Sequence, residues 1–221
     1  MTKELQAVIF DFDGVIADTV GLYYQATKKM AMEIGAPFTE EDNLNYQGVP
    51  RKVLINDLLA RTDKVLTEAQ KEELGNRKSN YYRELIADFT AEQMMPGMLA
   101  FLTELRERGI KFGIASSSSN APFLLERFGI KDWFDCIVDP HSLKKGKPDP
   151  EIFLKAADGL NVDYANCAAV EDGQAGLSGI LQTPMFSIGI GRGEVFNQAD
   201  WQVDSTEELK ASVLIEKFRN R

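Results

Sequence analysis

Ala7-Val8-Ile9-Phe10, followed at once by Asp11-Phe12-Asp13-Gly14-Val15-Ile16-Ala17-Asp18-Thr19, sets a short apolar run against a pair of acids. Four apolar residues suit a buried strand. In an extended chain, side chains two apart share a face, so Asp11 and Asp13 aim at one spot if the strand persists that far. Gly14 lets the chain turn sharply after them. Open α/β sheets bind ligands beyond the carboxyl ends of their strands, which is where these acids fall. Taken alone, D-x-D-G is equally an ordinary strand end in which Asp and Gly serve the turn. Residues further along the chain decide between the two.

After this strand the pattern turns helical. Leu22, Ala26 and Met30 recur every four residues, and Gly35 stands where a helix would stop, so residues 19–34 read as a helix. Asn45 to Arg51 reads as a polar loop, and Val53 to Leu59 as a short helix. Thr67-x-x-Gln70 makes a capping box for a further helix running to about Phe89. From Met95-Pro96-Gly97 onward, helices and short apolar strands alternate, which signals a parallel sheet. Strands are expected at Lys111–Ala115, Cys136–Val138, Ala168–Val170 and Met185–Ile190, and helices at 98–108, 121–128 and from Asp149-Pro150, with Asp as N-cap. Ser205-x-x-Glu208 is expected to cap a C-terminal helix. The fold class is therefore α/β. A Rossmann-like parallel core takes residues 1–16 and 91–221, and a helical insertion, residues 17–90, hangs over the strand ends as a lid.

The net charge of −9 argues against a nucleic-acid or anionic-membrane footprint. Cys136 and Cys167 form no C-x-x-C motif and read as free thiols in a reducing compartment. No signal peptide fits the N-terminal residues and no apolar run approaches the ~18 residues of a membrane span. The expectation is a cytoplasmic protein, and with no heptad seam, a monomer.

Four strand ends carry polar groups of distinct types: Asp11 and Asp13; Ser116 with its neighbouring N–H groups; the loop bearing Lys147; and Glu171-Asp172. If these converge, four carboxylates share one site, and two carboxylates 4 Å apart repel by roughly 4 kcal/mol at an effective dielectric of 20. A hard divalent cation relieves this, and Mg²⁺ suits an oxygen donor set that leaves positions for a phosphate oxygen. Ser116 and Lys147 are phosphate-binding types. Together these groups fit phosphoryl transfer through an aspartyl-phosphate, with Asp13 as general acid and base.

This order of motifs resembles the haloacid dehalogenase superfamily, whose phosphotransferases carry D-x-D-G-[VT], a Ser or Thr, a Lys and paired acids after successive strands. Within it the chain is similar to the β-phosphoglucomutase-like branch with a four-helix cap, on the strength of Arg77-Lys78-x-Asn80-Tyr81, Ala115 to Pro122, Gly146 to Phe153 and Gly189 to Gly193. The resemblance implies Asp11 as nucleophile and metal ligand, and Asp13 as acid/base and carbonyl ligand. It implies Glu171 and Asp172 as the remaining Mg²⁺ ligands. Ser116, Ser117 and Lys147 would hold the transferring group, Thr19 would lie at the cap hinge, and Gly48, Arg51, Lys78 and Asn120 would grip the other end of a small sugar phosphate. Tyr23, Gln47 and Ser119 stand where such mutases often carry His, Lys and Lys or Arg. A mutase that interconverts β-glucose 1-phosphate and glucose 6-phosphate through the 1,6-bisphosphate is the first reading. A sugar-phosphate phosphatase using the same residues with water as acceptor is the second, and a phospho-receiver domain the third.

Overall fold

Ala7–Phe10 forms the first strand, β1, and all four residues are buried because both faces of the sheet are covered. The computed structural model of the chain describes residues 4–46 and 49–221. Five further strands run parallel to β1: β2 (Lys111–Ile114), β3 (Cys136–Ile137), β4 (Cys167–Glu171), β5 (Phe186–Ile190) and β6 (Trp201–Val203). Their order, β3-β2-β1-β4-β5-β6, places β1 at the centre, flanked by β2 and β4. Between β1 and β4 the winding reverses direction, and a crevice opens there at the carboxyl edge.

Alternation along each strand builds two cores. Val8 and Phe10 of β1 join Ala168 and Val170 of β4 on one face, with Phe101, Phe112 and Phe134. The Phe10 ring meets those three edge-on at 5.7–6.3 Å, a favoured aromatic geometry. Ala7, Ile9, Cys167 and Ala169 face the other way, onto Phe153, Leu160 and Leu177. The helices covering these faces are α5 (Met98–Glu107), α6 (Ala121–Arg127), α7 (Glu151–Leu160), α8 (Gln174–Ile180) and α9 (Ala211–Arg219).

Between β1 and α5 the described residues form four α-helices: α1 (Val20–Ile34), α2 (Glu40–Asn45), α3 (Arg51–Leu59) and α4 (Glu68–Leu85). They have their own apolar cluster of Met30, Ile34, Phe38, Leu54, Leu58 and Leu74, while Ala26, Tyr82 and Ile86 pack into the sheet-side core. The two passages between this layer and the sheet run side by side. Ala17 pairs with Asp13 and with Met94, Met95 N–H donates to Ile16 O at 2.9 Å, and Asp18 N–H donates to Gln93 O at 3.0 Å.

Several sequence expectations shift by a residue or a turn. Ser205 does make a capping box, but it caps a single 3₁₀ turn, Thr206–Glu208, and α9 starts only at Ala211. Asp149 is not the N-cap of α7. That position is Pro150, and the Asp149 carboxylate instead accepts from the Glu151 N–H at 3.0 Å, an Asx turn one residue early. The α4 helix ends at Leu85 rather than near Phe89. The stretch before Asn45 holds α2, whose Thr39 capping box with Asp42 is as plain in sequence as that of Thr67. The strand β6 has only three residues and shows no run long enough to read.

Because Phe10 fills the space between three other rings, Phe10→Ala should cost about 3–5 kcal/mol of stability. Urea unfolding would show this as a lower midpoint with an unchanged slope.

Candidate active site

The sheet register does the first part of the assembly. Phe10 pairs with Val170, and the Asp11 N–H continues the ladder by donating to Val170 O at 3.0 Å. Asp11 is thereby set beside Glu171, the last residue of β4. Lys147, from the loop before α7, inserts between them, its Nζ 2.7 Å from Asp11 Oδ1 and 2.7 Å from Glu171 Oε2. All three side chains are buried. Burial opposes the ammonium charge, but the charges of Asp11 and Glu171 overcome it and hold the Lys147 pKa above its ordinary value.

One lysine does not balance the acids around it. Burial, then the charge of Asp11, pushes Glu171 up to about 7 against the pull of Lys147. Asp172 is raised well above the ordinary carboxylate range by burial and by its neighbours Glu171 and Asp11. Oxygens of Asp11, Glu171 and Asp172 all lie within 4.8 Å of one another. An all-oxygen, carboxylate-rich cluster with charge to spare fits a hard divalent cation such as Mg²⁺.

Two glycines make this packing possible. Gly14 has φ +80°, and a side chain there would meet Asp172 Oδ2 at 2.1 Å. Gly176 of α8 lies against Glu171, where an added Cβ would stand 1.9 Å from Oε2. The Gly173 N–H also donates to Glu171 Oε1 at 3.0 Å, fixing that carboxylate from the other side.

Asp13 has different company. Thr19 Oγ1 donates to Asp13 Oδ1 at 2.6 Å and Tyr82 OH donates to the same oxygen at 3.2 Å. Burial and the neighbouring Asp11 charge still lift Asp13 to about 6. Thr19 comes from the start of α1 and Tyr82 from α4, so the helical layer reaches directly to this acid.

A cavity of about 70 Å³ joins these groups to the helical layer. Asp11, Asp13, Glu171 and Asp172 line one part of it, and Arg51 and Lys78 supply the cations. Arg51, the first residue of α3, donates through Nη1 to Ser79 Oγ at 3.1 Å and to Asn76 Oδ1 at 3.4 Å. Lys78 is buried with Nζ 3.8 Å from the centre of the Tyr23 ring. Neither cation has an ion pair with a carboxylate among the described residues. A second cavity of about 330 Å³ borders Tyr23, Arg51, Ser117, Ser118 and Asn120.

The structure therefore brings together Asp11, Asp13, Glu171, Asp172, Ser117, Arg51 and Lys78 around one cavity, with Thr19 and Lys147 in contact with its acids. Ser116 is buried beside it, its Oγ accepting from the Ser118 N–H at 3.0 Å, which leaves its proton to donate elsewhere. Asn120, at the start of α6, accepts on Oδ1 from Arg83 Nε at 3.2 Å. Gly48 and Gln47 lie outside the described residues. Tyr82 and Arg83 are contacts that the sequence reading missed. The signal for Tyr82 was its place four residues after Lys78 on one helix, which puts both on the same face.

Gly176→Ala should strengthen α8 locally yet force Glu171 aside. The expected result is a folded protein of near-normal melting temperature with roughly 10- to 100-fold lower metal affinity, read by calorimetric titration with Mg²⁺. Lys78 offers a pH test. Burial pulls its pKa down to about 7, with Asp13 opposing and Arg51 adding to the effect. Between pH ~7 and ~10.5 the unfolded chain then holds more protons than the folded one, so stability rises with pH through that window and the cost is fullest below it. Lys78→Met should therefore raise the urea midpoint at pH 6, and the gain should shrink as the pH approaches 10.

Known proteins resemble the chain in sequence and fold. The sequence profile of the haloacid dehalogenase-like hydrolase family matches residues 5–182. The β-phosphoglucomutase of Bacillus subtilis strain 168 is 43% identical over 216 residues, covering 97% of this chain and 96% of its own. A phosphorylated carbohydrates phosphatase of Thermotoga maritima is 32% identical over 78% of this chain and 79% of its own. The crystal structure of β-phosphoglucomutase from Clostridium difficile superposes with a TM-score of 0.93 at 37% identity, covering 98% of both chains. With its acid-ended central strands, its inserted helices and these relatives, the chain belongs to the haloacid dehalogenase-like hydrolase family.

Proposed function

We propose that the chain is a β-phosphoglucomutase, interconverting β-glucose 1-phosphate and glucose 6-phosphate through an aspartyl-phosphate and glucose 1,6-bisphosphate. The observation that carries this is the two-ended cavity: four acids at the sheet, and from the helices Arg51 and Lys78, which have no carboxylate ion pair among the described residues. A substrate with a phosphoryl group at each end of a sugar meets both sets of groups at once.

In the first half-reaction an Asp11 carboxylate oxygen bonds to phosphorus while the bond from phosphorus to the sugar oxygen breaks. That oxygen takes the proton of Asp13, whose raised pKa suits it to give and take a proton near neutrality. Thr19 and Tyr82 both occupy Asp13 Oδ1, leaving Oδ2 for the substrate. In the other half a β-glucose 1-phosphate binds in the opposite sense, Asp13 takes the proton of its 6-hydroxyl, and that oxygen bonds to phosphorus as the bond from phosphorus to Asp11 breaks, which regenerates glucose 1,6-bisphosphate and frees Asp11. Lys147, Ser116 and the Ser117 N–H hold the transferring group, while Arg51, Lys78, Asn120 and Gly48 hold the other. Asp11, Glu171, Asp172 and the Asp13 carbonyl would bind Mg²⁺, which when bound neutralises charge on the phosphoryl oxygens. Residues 17–90 act as a cap on the core of 1–16 and 91–221. Opening of this cap admits the sugar phosphate. Closure then keeps water from the aspartyl-phosphate.

Purified protein given Mg²⁺, β-glucose 1-phosphate and a trace of glucose 1,6-bisphosphate should form glucose 6-phosphate far faster than free phosphate. EDTA should abolish the conversion. Asp13→Asn should slow turnover by about 100- to 10,000-fold yet still accept phosphate on Asp11 from acetyl phosphate, whose leaving group needs no proton. Release of free phosphate alone would instead make it a phosphatase, the activity named for the Thermotoga relative.

A further inference from the structure

Thr27 of α1 lines the same cavity, and nothing in the mechanism above uses it. It is 1% exposed. A threonine inside a helix ordinarily satisfies its hydroxyl on the carbonyl of the preceding turn. Thr27 does not: its Oγ1 is the one buried side-chain oxygen or nitrogen among the described residues with no hydrogen-bond partner. Leaving such a group unpaired works against folding, so its partner belongs to something the fold receives.

The position of Thr27 narrows what that is. Thr19, Tyr23 and Thr27 follow one another at four-residue steps along one face of α1. The first bonds the Asp13 carboxylate and the second lies under the Lys78 ammonium. Around the cavity the remaining helical-layer groups are neutral: Phe38, Tyr46, Val49 and Leu54, with Asn43 already donating to Val20 O at 3.3 Å. Phosphate has Arg51 and Lys78 to bind. An uncharged hydroxyl that both donates and accepts matches another of its kind.

We infer that Thr27 is a specificity subsite for a hydroxyl group of the sugar, reading the uncharged middle of the substrate while the acids and cations take its phosphorylated ends. The inference rests on the cavity being a sugar-phosphate site, as proposed above. It gives the helical layer a means of telling one sugar from another that the phosphate-binding groups do not have.

The test compares wild type with Thr27→Val, which keeps the shape and removes the hydroxyl, and with Thr27→Ser, which keeps the hydroxyl. Without ligand, Thr27→Val should melt at the wild-type temperature or above it. In thermal-shift titrations inorganic phosphate should protect all three proteins equally, whereas the extra protection given by glucose 6-phosphate should shrink in Thr27→Val alone. In turnover, kcat/KM for β-glucose 1-phosphate should fall roughly 3- to 10-fold in Thr27→Val, and the fall should vanish for one of the 2-, 3- or 4-deoxy analogues. Unchanged sugar-dependent protection and kcat/KM in Thr27→Val would overturn the inference. If Thr27→Val fails to fold, Thr27→Ala against Thr27→Ser carries the same comparison. No turnover by wild type, together with sugar-dependent protection that Thr27→Val loses, sinks the mutase reading and keeps the subsite. Intact turnover with an indifferent Thr27→Val does the reverse, and the absence of both sinks both.

Discussion

The ammonium group of Lys147, held between Asp11 and Glu171 with both contacts at 2.7 Å, is the interaction on which the rest of the site depends. It is a buried pair of ion pairs, and such groups cost so much to desolvate that they add little net stability. Here the imbalance has a use. Asp13, Glu171 and Asp172 are all lifted by burial and mutual repulsion, so the folded protein carries acids in excess of its own cation. That excess is what a divalent ion and a proton in transit require. The fold tolerates it because the central strands beneath it are apolar: Phe10, Val170, Ile9 and Ala169 are completely buried immediately before the acids begin.

The sheet was legible in sequence because each central strand is an apolar run ended by polar groups. A parallel, doubly wound sheet gathers such ends on one edge whatever the helices between them do. Asp11, Asp13, Lys147 and Glu171-Asp172 could therefore be named from order alone. What order does not carry is the third dimension of the helices. That Tyr82 rather than Tyr23 touches Asp13 depends on how α4 lies across α1, and Tyr23 instead packs its ring against that of Tyr82 at 5.1 Å. Arg83 meeting Asn120 depends on how the helical layer sits on the core. The Ser205 box misled because a capping box reports a helical turn, and a single 3₁₀ turn satisfies it as well as a full helix.

Tyr23 shows how the helical layer keeps a cation buried. Tyr23 cannot bring a cation to Asp13, but its ring face lies beside the Lys78 ammonium and its ring packs at 65° to that of Tyr82. A ring face attracts a cation electrostatically, and this lets Lys78 stay buried without a carboxylate. The hydroxyl of Tyr82 then makes the link to the acid.

The paired passages between the sheet and the helical layer have a kinetic meaning. Ala17 joined to both Asp13 and Met94, with backbone bonds on either side, makes a two-stranded strap rather than two loose tethers. A body hung on a single flexible thread must search three rotations to find its seat, whereas one hung on a strap swings about one axis. With residues 17–90 closing as proposed, the strap would deliver Tyr82 to the carboxylate oxygen that Thr19 already bonds, so closure and the setting of Asp13 would be one event.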